Sequence, residues 1–294
     1  MIRMKNLSKE YKNGRGLLDL TLEVEDGETL GLMGPFGSGK STLIGILAGF
    51  LKPTRGICSI NGKVPGANQE AICRFTGVLQ PRMAFPRQMS AIDYLRFTAG
   101  IRGVKSLERG LAVLEHFGID PELSLHRLPR GFRQMVGLAG VMLHGPVVLL
   151  LDEPDRYLDG MVQARFDELM LEEKARGTTI LIASENFQDM ERICDRMAFL
   201  RRGSLVNVDD VPSIRAARKK AYLVTFQNEM ETLRFIRENP GSRQVSQSQV
   251  LLTVYGEILP CLKLLGNYQV SGFELLSQSL QEIFTHVYGG ESHA

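Results

Sequence analysis

Apolar residues recur along this chain in two rhythms, and the rhythm changes several times. In the first two-thirds, short apolar or β-branched runs alternate with stretches of helical spacing, the pattern of an α/β domain. Residues 29–33 predict a strand, and residues 40–48 a helix stopped by Gly49. Residues 57–60 predict a strand running into an Asn61-Gly62 turn. The run VVLLL at 147–151 has no polar alternation, so it predicts a buried, parallel strand. The β-branched run at 178–183 predicts another central strand, and residues 161–176 between them have helical spacing. A helical block at 91–117 reads as an inserted subdomain.

The character changes near Pro212. Arg215, Arg218, Lys219 and Lys220 form a short basic stretch. It reads as a solvated linker face, with an anionic lipid surface as the alternative. A new alternating run, AYLVTF, follows. After it the pattern predicts a helix at 229–238, a strand pair around 244–254, a helix near 258–265, a strand at 272–276 and a last helix, SLQEIFTHVY. That order suggests a small ferredoxin-like α+β domain. The expected division is 1–212 and 213–294.

Composition narrows the classes. The 294 residues are 44% hydrophobic, enough for a full core without staples. A net charge of only +2 argues against a nucleic-acid partner. The four cysteines, Cys58, Cys73, Cys194 and Cys261, are scattered and form no CxxC pair, so they read as small buried apolar residues. The charged opening MIRMKNLSKEYKNG has no apolar h-region, so no secretory signal is expected. The longest apolar runs are far short of the ~20 residues that cross a bilayer. Work at a membrane would therefore go through a partner.

Residues 34–41, GPFGSGKS, fit G-x-x-x-x-G-K-[ST] between a predicted strand and a predicted helix, the context of a P-loop. Gly34, Pro35, Phe36, Gly37, Ser38 and Gly39 would curl backbone N–H groups around phosphates. The helix from Lys40 would present its positive end to the anion. Lys40 would place a charge between the β- and γ-phosphates, Ser41 would ligate Mg²⁺, and Thr42 completes the cradle. The strand VVLLL delivers Asp152 and Glu153 at its carboxyl end, where α/β sheets bind ligands. Asp152 would hold the hydrated Mg²⁺. Glu153 would polarise the water attacking the γ-phosphate. Mg-ATP is the expected ligand.

With these motifs residues 1–210 resemble the ATPase subunits of ABC transporters. The resemblance implies an ABC-type P-loop NTPase domain with an inserted helical subdomain. It implies that Tyr11 stacks on adenine, that Gln80 in GVLQP lies near the glutamine that ligates Mg²⁺, and that Leu158-Asp159 is the D-loop. Without a gap, Pro81 rather than Gln80 takes the glutamine's position. The C-terminal part, ending LQEIFTHVY, is similar to the extra domain of bacterial exporters of drugs, bacteriocins or peptides. The implied mechanism is a head-to-tail dimer. Each ATP lies between one P-loop and the other subunit's signature helix, and closure moves a separate transmembrane permease. The 91–117 helices would help to dock that permease. The implied location is peripheral, on the cytoplasmic face of the cell membrane.

Two positions depart from the family. Its signature, Leu-Ser-Gly-Gly-Gln, is here Leu128, Pro129, Arg130, Gly131 and Phe132. Proline suits a helix's first turn, so the helix dipole is expected to survive while the serine hydroxyl is lost. That contact is worth roughly 1.5–3 kcal/mol. Gly131 can still face phosphate, and Arg130 reads as a solvated arginine, with compensating charge at the site as the alternative. The strand TTILIAS is followed by Glu185 where the family keeps a histidine that bonds the γ-phosphate. An ionised Glu185 would repel phosphate unless it turns outward to solvent. Phe36 is a third oddity, expected to be tolerated because backbone does the work there.

The expected function is that of an energising ATPase subunit of an exporter, slow when alone and favouring a different ATPase partner. The alternatives are an ATP-gated dimerisation switch with incidental hydrolysis and a soluble ABC-type ATPase. The absence of a second cassette, a long coiled coil or a strong basic charge weighs against the last.

Overall fold

The computed structural model describes residues 1–276 apart from 13, 87, 218, 256 and 257. The chain divides into two units, Met1–Val208 and Asp209–Ala294, each with its own hydrophobic cluster.

The first unit opens with β1 (Ile2–Glu10) and β2 (Gly16–Val24), an antiparallel pair that alternation alone does not reveal. The pairing register shifts between Met4 and Leu7. Lys5 and Asn6 are both exposed, and Leu7 and Ser8 are both buried. A bulge of this kind breaks the period of two. Then follow β3 (Thr29–Met33), α1 (Lys40–Leu47), β4 (Arg55–Ile60), α2 (Gln69–Phe75) and β5 (Thr76–Leu79). β4 completes a three-stranded sheet in the order β2-β1-β4. The Asn61-Gly62 turn is as expected: both residues have positive φ, and Ile60 and Lys63 exchange two backbone hydrogen bonds.

The expected helical block is two helices, α3 (Ala91–Arg102) and α4 (Glu108–His116). Ser90 and Asp93 cap α3 reciprocally. Both helices pack on α5 (Arg130–Met142). Next come β6 (Val148–Asp152), α6 (Gly160–Ala175), β7 (Thr179–Ser184), α7 (Phe187–Ile193), β8 (Arg196–Arg201) and β9 (Ser204–Asp210). These build a six-stranded sheet in the order β5-β6-β7-β3-β8-β9, parallel from β5 through β8. Every residue of β3, β6 and β7 is buried, which explains their unbroken apolar runs.

The second unit contains α8 (Val211–Ala217), β10 (Lys219–Phe226), α9 (Glu229–Glu238), β11 (Arg243–Gln244), β12 (Gln249–Tyr255), α10 (Leu259–Leu265) and β13 (Val270–Leu275). The last four strands form one antiparallel sheet, ordered β11-β12-β10-β13. In chain order that is second, third, first, fourth, the arrangement of a split βαβ unit. Its core gathers Phe226, Phe235 and Tyr268, whose rings meet at 5.0–6.3 Å. The helix expected at SLQEIFTHVY lies outside the described residues.

Two expectations are corrected. The basic stretch is not simply a linker, because Arg215 belongs to α8; Arg218 lies outside the described residues. Of the four cysteines, Cys73 is exposed on α2 and only the other three are buried.

No helix among the described residues is long and apolar enough to cross a membrane.

Candidate functional site

Sheet register brings the chemistry together. β3 lies between β7 and β8, with Met33 level with Ser184. β6 lies beside β7, with Asp152 level with Ala183. Three strand ends therefore open side by side, and the segments leaving them carry the glycine loop, Glu153 and Glu185.

Glycine is required in the loop by geometry. Gly34 has φ of 153°, and a Cβ there would stand 2.3 Å from the carbonyl oxygen of Leu200. Gly37 and Gly39 have φ of 78° and 112°, which other residues seldom adopt. Lys40 is almost wholly buried. Its Nζ donates to the carbonyls of Gly34 at 2.6 Å and Pro35 at 3.2 Å. A pocket of about 420 Å³ lies over the loop, lined by Tyr11, Arg15, Gly16, residues 36–42 and Glu153. Tyr11 thus borders the phosphate cradle, with Lys9 Nζ 5.7 Å from its ring centre. Phe36 stands at the pocket's rim with its side chain largely exposed.

Ser41 donates its hydroxyl to Asp152 at 3.1 Å. Burial pushes the Asp152 carboxyl up. The Ser41 hydrogen bond opposes this, and the neighbouring Glu153 charge adds to it. A cation at this pair would relieve that cost. Among the described residues no group of three or more His, Cys, Asp or Glu could hold a metal ion. Two hard oxygen donors beside a phosphate cradle nonetheless fit Mg²⁺, which takes one or two protein ligands and fills its shell with phosphate and water.

Glu153 sits just past β6 with φ of 46°, a costly conformation for this residue type. Its N–H donates to the carbonyl of Ala183 at 2.9 Å, tying it to β7. Its carboxylate accepts from Arg156 at 2.6 Å. Asp155, next in the loop, accepts from the hydroxyl of Ser184. Burial pushes the Asp155 carboxyl up to about 6 against that hydrogen bond. The Ser184 hydroxyl also accepts from Asn186 N–H at 2.8 Å, so the loops after β6 and β7 share one network.

Glu185 does not turn away from the site, as its benign reading required. Its carboxylate accepts from Lys40 at 3.4 Å and pairs with it across the loop. Opposite charge outweighs full solvation because the Lys40 ammonium is buried, away from the water that would otherwise screen it.

Other expected residues lie elsewhere. Pro129 is the N-cap of α5 rather than its first helical residue, and it accepts from Arg133 N–H at 3.0 Å. The thirteen-residue helix starts intact at Arg130. Gly131 is packed so closely that a Cβ would meet the Tyr157 carbonyl oxygen at 2.5 Å. Asp159 caps α6, accepting from Val162 N–H at 3.0 Å. Gln80 is exposed, and its carbonyl accepts from Gln134 at 2.8 Å. None of Gln80, Pro129, Arg130, Gly131 and Asp159 lines the P-loop pocket of its own chain. Arg156 escaped the sequence reading; a cation three residues beyond the acid was the available signal.

Comparison with known proteins adds to this geometry. The family model described as ABC transporter matches residues 17–156. The uncharacterized ABC transporter ATP-binding protein YxlF of Bacillus subtilis is 30% identical over 212 residues, covering 70% of this chain and 69% of the relative. The bacitracin transport ATP-binding protein BcrA of Bacillus licheniformis is 26% identical over 300 residues, covering 99% and 98%. A solved ATP-binding subunit of an ABC transporter superposes with a TM-score of 0.67 at 28% identity, over 73% of this chain and 92% of that one.

Proposed function

Because this chain belongs to the ATP-binding subunits of ABC transporters, we propose that it binds Mg-ATP and hydrolyses it to ADP and phosphate to drive export. It works peripherally on the cytoplasmic face of the membrane, with a separate permease and a second ATPase subunit. The observation that carries this reading is the convergence of Lys40, Ser41, Asp152 and Glu153 beside a glycine cradle. End-to-end similarity to a bacitracin transport subunit supports a transporter subunit, and we read its direction as export.

Each residue has a task. Backbone N–H groups of the loop bind phosphate oxygens, and Lys40 neutralises the terminal ones. Tyr11, at the pocket's edge, offers its ring to the base. Ser41 and Asp152 would hold Mg²⁺, which when bound neutralises the β- and γ-oxygens. Glu153 accepts a proton from the attacking water. The Asp159 cap and the close contact of Gly131 with Tyr157 hold the α6 and α5 helix starts for a facing subunit.

A different ATPase partner suits this chain better than a second copy. In a homodimer both composite sites would lack the signature hydroxyl, because of Pro129, and both would carry Glu185 beside phosphate. A distinct partner leaves only one of these changes at each site. The Glu185–Lys40 pair also supports a second reading, an ATP-gated switch with little turnover, since phosphate must displace a carboxylate.

Steady-state turnover of the purified chain, compared with Glu153→Gln, tests the proposal. Slow hydrolysis that Glu153→Gln abolishes, with ATP binding retained, is expected. Brisk turnover without any partner would refute the division of labour between unlike subunits.

A further inference from the structure

The Glu153 carboxylate is already occupied. Arg156 Nη1 donates to its Oε2 at 2.6 Å, and Glu153 is otherwise largely buried while Arg156 is half exposed. The arginine is itself held. Its guanidinium lies 5.8 Å from the centre of the Tyr157 ring, and the Arg130 guanidinium lies 5.7 Å from the same centre. Tyr157 also places its carbonyl against Gly131. One chain of contacts thus runs from the N-terminus of α5, through Tyr157 and Arg156, to Glu153.

We propose that Arg156 is a positioning residue that restrains Glu153 in the isolated subunit. The inference rests on the reading of Glu153 as the group that takes a proton from water. A guanidinium bound to the carboxylate occupies one of its two oxygens and holds that oxygen away from an attacking water. The φ of 46° and the bond to Ala183 fix the backbone, and burial of the side chain leaves the carboxylate little room to swing clear. Release then requires Arg156 to move, and its stacking on Tyr157 links that movement to whatever meets Arg130 at the start of α5. A facing subunit would meet that helix end. The same contacts that keep the lone chain slow would therefore let a partner switch Glu153 on.

The test uses the full-length purified chain without nucleotide, and then with it. Carbodiimide labelling of Glu153, located by peptide mass spectrometry, reports how firmly the carboxylate is held. In Arg156→Ser and Arg156→Gln, which free the held oxygen, it is expected to rise on the order of three- to tenfold, while Arg156→Lys stays near the wild type. Exposed Glu70 serves as the internal control. With ATP, kcat should rise by a similar factor in the Ser and Gln variants, with KM unchanged. Adding Glu153→Gln should erase the gain. Equal labelling of wild type and Arg156→Ser, or a kcat gain that survives Glu153→Gln, overturns the proposal. If no variant binds ATP while the labelling still differs, the proposed ATPase function falls but the restraint on Glu153 is upheld.

Discussion

The Lys40 ammonium stands 3.4 Å from the Glu185 carboxylate, a pair joining the glycine loop to the segment after β7. Lys40 is the buried partner and Glu185 is about half exposed. Phosphate must compete with that carboxylate for one cation. Glu185→Gln is expected to tighten ATP binding roughly three- to tenfold, with the gain shrinking as salt rises. Titration with a fluorescent ATP analogue at two ionic strengths checks both effects. Unchanged affinity at low salt would mean that the pair opens without cost.

Lys40→Ala removes the side-chain cation held against the loop carbonyls of Gly34 and Pro35. Loss of its charged contacts to phosphate is expected to weaken ATP binding on the order of a hundredfold or more. Calorimetric titration reads this directly. Normal affinity would refute the phosphate cradle.

Asp155 gives the fold a pH signature. Its folded value, about 6, lies above the ordinary 3.8. The folded chain therefore holds a proton that the unfolded chain releases between these values. Its contribution to stability is fully present below pH 3.8 and is lost as pH rises to about 6. Asp155→Asn cannot lose a proton. The melting temperature of this variant, relative to the wild type, is expected to climb between pH 4 and pH 7. Parallel melting curves across that range would contradict the assignment.

At Gly131 there is no room for a methyl group, since it would stand 2.5 Å from the Tyr157 carbonyl oxygen. Gly131→Ala is expected to cost about 1–3 kcal/mol by forcing backbone apart. The loop from Glu153 to Asp159 should shift with it. Denaturant unfolding measures the first effect, and the turnover rate reports the second.

The sequence disclosed most where a segment is buried on all sides or tied to phosphate chemistry. VVLLL read as a central strand because β6 is covered on both faces. The glycine loop read as a cradle because its φ values exclude most other residues. What stayed hidden depended on partners far along the chain. β1 escaped notice because its bulge hides the alternation, and only pairing with β2 and β4 makes it a strand. The direction of the Glu185 side chain is set by Lys40, 145 positions away. Asp159 read as a D-loop residue also caps a helix, since a capping aspartate and a site aspartate look alike in a string of letters.

The position of β3 bears on how the molecule is made. Thr29 lies opposite Ile180, about 150 residues later, so the nucleotide cradle cannot be framed until most of the cassette has left the ribosome. At ordinary elongation rates that gap lasts roughly 8–30 s. During it the apolar run of β3 lacks both of its strand neighbours and stands open to wrong association, and ATP has nothing yet to grip.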